Sequence, residues 1–150
     1  MIITPMKYIL LILSFTCIHF HAQSKIVLKE VGTVKVLDTL HYLKVNFEFK
    51  KSEYIGKSFS FLLKNMIKIQ PKTIWNISGS TENSVVDKSL FRFHDMNYPI
   101  LNETKMLVTW RTGLNSKTVD WYSKRNKYYF TNAERRVYGN LIVQDILIYR

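Results

Sequence analysis

Ile55-Gly-Lys-Ser-Phe-Ser-Phe-Leu-Leu-Lys-Asn-Met66 decides the fold class of this chain. Ile55, Phe59, Leu62, Leu63 and Met66 recur at helical spacing, so a helix gathers them into one apolar stripe. The spacing predicts a principal helix over about 57–65. Gly56 permits the entering turn, Ser58 is placed to cap it, and Gln70-Pro71 blocks its continuation. With that helix the chain reads as α+β. With a strand around Phe59 the alternative is an all-β sandwich.

The flanking segments read mainly as strands. Leu43-Lys-Val-Asn-Phe-Glu-Phe-Lys50 alternates apolar and polar residues, the mark of a half-buried strand. Lys25 to Leu37 reads as one bent or two short strands, broken at Gly32-Thr33. On the other side, Thr73–Ser78, Leu90–His94 and Lys105–Arg111 are three short strands separated by polar stretches. Val119 to Thr131 is expected to be a hairpin turning at Lys124-Arg125-Asn126. A second, short helix is expected over about 132–138. Thr131 or Asn132 would cap it, Glu134 lies early, Arg135 and Arg136 lie late, and Gly139 stops it. Leu141 to Tyr149 is apolar on both faces except at Gln144 and Asp145, and is expected to be an interior strand. The sum is a mainly antiparallel sheet with one principal helix and a short second one.

The first residues read as an export signal. Lys7 gives a single positive charge, Tyr8 to Ile18 is uncharged and mostly apolar, and His19-Phe-His-Ala22 ends on a small residue. The uncharged run is shorter than the roughly 20 residues a membrane-spanning helix needs. Cleavage after Ala22 is therefore expected, leaving 23–150 as a single globular domain in the periplasm or outside the cell, with no membrane span. Cys17, the chain's one cysteine, is set inside the apolar run behind bulky Phe15, which disfavours lipidation. Its loss with the leader leaves a chain without disulfides or thiol chemistry.

Charge narrows the partners. The chain carries 22 Lys and Arg against 11 Asp and Glu, a net charge of +11. Such a field favours anionic partners, although a basic chain is also simply soluble. With 5 Gly and 3 Pro among 150 residues and abundant aromatics, the composition is that of a folded domain rather than a disordered one.

Most catalytic patterns fail on chemistry. Gly56-Lys57-Ser58 lacks the earlier glycine of a phosphate-binding loop, since Lys51 occupies that position, so no nucleotide is expected. His41 and His94 are the histidines beyond the leader, too few for a structural metal site, and no cofactor or metal is expected. His94-Asp95 is the one histidine–carboxylate neighbour pair. With a nearby Ser it would suit a small hydrolase acting on a wall or matrix polymer. Asp145, inside an apolar strand, is expected to be paired or hydrogen-bonded, because an unpartnered buried carboxylate is costly.

Trp121-Tyr-Ser-Lys-Arg-Asn-Lys-Tyr-Tyr-Phe130 is the strongest local feature. Flat aromatic faces interleaved with cations suit bases, sugar rings and anionic headgroups. The plainer reading is a hairpin whose aromatics pack in the core and whose cationic tip is solvated. If a surface of this chain binds an anion, the expected site comprises Trp121, Tyr122, Lys124, Arg125, Lys127 and Tyr128, extended by Arg135 and Arg136. The leading functional expectation is an exported binding domain whose partner is an anionic polymer or an envelope protein. The alternatives are the hydrolase and a structural subunit of an envelope assembly.

Overall fold

The structure, a computed structural model, describes residues 38–78 and 84–150. The expected export leader and the strands expected over 25–37 lie outside them. Four strands, β1 (Thr73–Ser78), β2 (Val85–Arg92), β3 (Lys105–Asn115) and β4 (Val143–Tyr149), form one antiparallel sheet in the order of the chain. Among the described residues four α-helices accompany it: α1 (Thr39–Leu43), α2 (Phe59–Asn65), α3 (Ser116–Arg125) and α4 (Asn132–Gly139). The fold is α+β.

The helix around Phe59 forms as its spacing requires. The side chain of Ser58 accepts from the Phe61 N–H at the N-cap, and Phe59, Leu62 and Leu63 are buried. Their target is the sheet face carrying the row Ile74, Phe91, Met106 and Ile148, paired in register across all four strands and all buried. The Phe59 ring lies 4.7 Å from Phe91, 5.1 Å from Trp110 and 6.1 Å from Phe130. Tyr138 of α4 joins the same cluster. α4 carries a full capping box, in which Thr131 and Glu134 satisfy each other's backbone N–H groups.

Three expectations are corrected. Leu43 to Lys50 is not a strand. α1 starts at an Asp38 N-cap and runs on into a π-helical turn over Lys44–Glu48. Leu43 and Phe47, four apart, are buried, whereas Phe49 is 73% exposed. Alternation and helical spacing share the i, i+4 pair, and the longer π-turn brings Phe47 onto the core side. Val119 to Thr131 is not a hairpin, because α3 occupies most of it. Finally, among the described residues β4 is an edge strand, not an interior one. Its apolar residues are buried on one face, while Leu147 on the other is exposed. Part of its edge is covered instead by the chain before α2. Gly56 N donates to Val143 O, Val143 N donates to Lys57 O, and Ile148 N donates to Glu48 Oε1. Asp145 is paired, 2.7 Å from Lys51 Nζ, but the pair is exposed, so it is not the buried carboxylate the apolar run suggested.

Gly113 marks a close approach. Four residues of β3 bulge opposite Asp87, and a Cβ at Gly113 would stand 2.4 Å from both Val86 O and Val85 Cγ1. No side chain fits there.

Candidate functional site

α3 begins at Asn115, whose side chain accepts from Lys117 N at 3.0 Å. Val119 and Ser123, four apart, face inward and are buried, which turns Asp120, Trp121, Lys124 and Arg125 outward. The sequence signals were the Asn115 cap and the Val119–Ser123 spacing. A small polar serine in the buried stripe conceals the apolar period there.

The helix ends in a left-handed turn. Asn126 N donates to Tyr122 O and Tyr128 N donates to Ser123 O, the latter closing a Schellman-type loop. Such loops normally place glycine in the left-handed position. Here Lys127 has φ 50° and Tyr128 φ 63°. Two L-residues with side chains in this region each carry a cost of about 1 kcal/mol or more. The turn is held from both sides. Asn126 Nδ2 donates to Glu134 of the capping box, and residues 128–130 run along the edge of β1, with Ile74 N donating to Tyr128 O and Phe130 N to Lys72 O.

The consequence is a ring placement that sequence order does not suggest. Tyr128 stacks on Trp75 of β1, with centroids 5.0 Å apart and planes 16° from parallel. Both rings remain more than a third exposed. They wall a cavity of about 220 Å³ at the edge of β1, completed by Asn76, Val119, Asp120, Ser123 and Lys124. Asn76 is fixed by a buried chain of donors: Trp110 Nε1 donates to Ser89 Oγ at 3.0 Å, Ser89 Oγ to Asn76 Oδ1 at 2.8 Å, and Tyr138 OH to the same oxygen at 3.0 Å. Burial of Tyr138 raises its phenol pKa well above the ordinary value, so it is a lasting donor; the hydrogen bond to Asn76 pulls the other way. With its oxygen fully used, Asn76 has its N–H donors left, and among the described residues no acceptor takes them up.

Six of the eight expected residues come together at this end of α3. Trp121 is 52% exposed, with Tyr122 edge-on to it at 4.8 Å and the Arg125 guanidinium 4.9 Å above its ring. Lys124 lies in the cavity wall, and Lys127 and Tyr128 form the turn. Arg135 is engaged elsewhere. Its Nη1 donates to Gln70 Oε1 at 2.9 Å, it lies 4.9 Å over Phe130, and burial pulls its pKa below the ordinary value. Arg136 is exposed on α4. Sequence reasoning missed Trp75, Asn76, Val119, Asp120 and Ser123 as wall residues. Trp75 and Asn76 reach the site by strand placement, for which no local signal exists.

His94 has a partner other than the one its sequence neighbour suggested. Asp95 is 3.0 Å from Lys72 Nζ. Glu103, fully buried, accepts from His94 N at 2.9 Å and stands 3.4 Å from His94 Nδ1, within ion-pair range but without hydrogen-bond alignment. Glu103 also pairs with buried Arg92. The His94 ring stacks on Tyr98 at 4.1 Å. This cluster ties the 93–104 loop to β2, and no hydrogen bond among the described residues links His94 to a Ser or Thr hydroxyl. Among the described residues there is no group of three or more metal-ligating side chains, and no helix is long and apolar enough to cross a membrane.

Comparison with known proteins gave no match: no protein-family profile, no curated protein and no solved structure matches this chain.

Proposed function

We propose that this chain is an exported binding domain that takes an anionic polymer on α3 and the turn that follows it. One observation carries the reading. Lys124 shares a cavity wall with Trp75 and Tyr128, Arg125 lies over Trp121 on the same end of α3, and Lys127 stands in the following turn, which is held in a costly conformation. Strain retained where the surroundings over-determine it is a recurring property of ligand sites. From Ser116 to Tyr129 four cations stand against one acid, Asp120. The apolar run of the first residues supports export, and the overall positive charge supports an anionic partner.

The test is a titration of the protein with polygalacturonate and with polyphosphate over a salt series. Affinity falls steeply as salt rises. Changing Lys124, Arg125 and Lys127 together to Ala weakens binding about 100-fold at low salt, at roughly 1 kcal/mol per cation. Equal binding by the triple variant would remove the site.

A further inference from the structure

We infer that the cavity between β1 and α3 holds one pyranose ring of a polyuronate, an acidic polysaccharide; this rests on the anionic-polymer reading above. Size sets the first limit. At about 220 Å³ the cavity is below the roughly 300–1,000 Å³ of sites for drug-sized ligands, so it suits a single ring from a chain that continues along the surface. Its aromatic wall is Trp75 stacked with Tyr128; each ring keeps one outer face that the other does not cover, and such a face suits the C–H side of a sugar.

The polar groups then choose among anions. A site for a phosphate-rich polymer gathers donors and cations and avoids carboxylates. This cavity sets Asp120 one helical turn from Lys124, so it presents an acceptor-only group beside a cation. Hydroxyl groups need such acceptors, and a carboxylate needs the ammonium group. Asn76 also lines the cavity; Ser89 and Tyr138 hold its oxygen, so the contact it can make with a ligand is as an N–H donor. A uronate ring carries all three complements: hydroxyls for Asp120, ring or hydroxyl oxygens for Asn76, and a carboxylate for Lys124. Arg125 and Lys127 lie outside the cavity wall and meet the charges of neighbouring residues of the polymer.

Asp120 gives a test in which the two ligand chemistries respond with opposite sign. Full-length protein is titrated with tri-galacturonate and with a short polyphosphate. Asp120→Ala weakens tri-galacturonate binding at least about fivefold, because hydroxyl hydrogen bonds are lost, and tightens polyphosphate binding, because a negative charge is removed. Trp75→Ala weakens tri-galacturonate at least about tenfold and leaves polyphosphate within about twofold. Asp120 is exposed, so its variant tests the idea even if Trp75→Ala does not fold. Tighter binding of both ligands by Asp120→Ala would overturn the uronate assignment while leaving an anion site in place. Failure of wild-type protein to bind either ligand would overturn the underlying reading as well.

Discussion

Lys127 and Tyr128 hold left-handed backbone that glycine adopts at no steric cost. Lys127→Gly is therefore expected to stabilise the fold by about 1 kcal/mol, read as a higher urea midpoint with an unchanged slope. The same change removes a cation and loosens the turn, so polyanion affinity falls as stability rises. Gly113 behaves oppositely. Its Cβ would meet Val86 O, and Gly113→Ala is expected to cost about 1–3 kcal/mol in the same measurement. Tyr138 sets a pH limit. Burial favours its neutral form, so the folded state keeps the phenolic proton above pH 10, where the unfolded chain releases it. The unfolded state then binds fewer protons, and stability falls as pH rises beyond about 10. In Tyr138→Phe that alkaline slope is shallower, as urea unfolding at pH 9 and pH 11 will show.

At the scale of elements, the buried pair of Arg92 and Glu103 joins β2 to the loop before β3. Glu103→Leu alone leaves a buried guanidinium without its counter-charge and is expected to cost about 3–5 kcal/mol. Adding Arg92→Met recovers most of that loss in equilibrium unfolding. Which elements are legible in the sequence follows from how each is stabilised. α2 and α4 carry local signals, the apolar spacing of Phe59, Leu62, Leu63 and Met66 in one and the Thr131–Glu134 capping box in the other, and both form there, although Ile55 of the expected stripe precedes α2 and is exposed. β1 and β3 form where their strand cores are expected, and β3 extends beyond; β2 overlaps its expected span only over 90–92, starting earlier at Val85 and ending before Phe93 and His94. α1 and α3 are short on local signal. Leu43 and Phe47 satisfy alternation and helical spacing alike, and α3 buries only Val119 and Ser123. The position of β4 at the sheet edge is a matter of strand order, which no stretch of residues encodes by itself. The site divides in the same way. The cations and aromatics of α3 are visible as a cluster in the chain. Trp75 and Asn76 join them only because residues 128–130 run along β1.

At the scale of the molecule, under the proposed reading the net positive charge draws polyanions from a distance, and specificity is left to the region where, among the described residues, Lys124, the stacked rings and Asn76 meet. A diffuse charge effect and a localised site differ in which residues respond to ligand. The most direct measurement is backbone amide chemical-shift mapping of the isotopically labelled protein during titration with a polyuronate. The account predicts that the largest shifts fall on Trp75, Asn76 and residues 117–129, with Trp75 and Trp121 indole signals moving together. Shifts of equal size over all exposed lysines, or concentrated at His94 and Glu103, would contradict it.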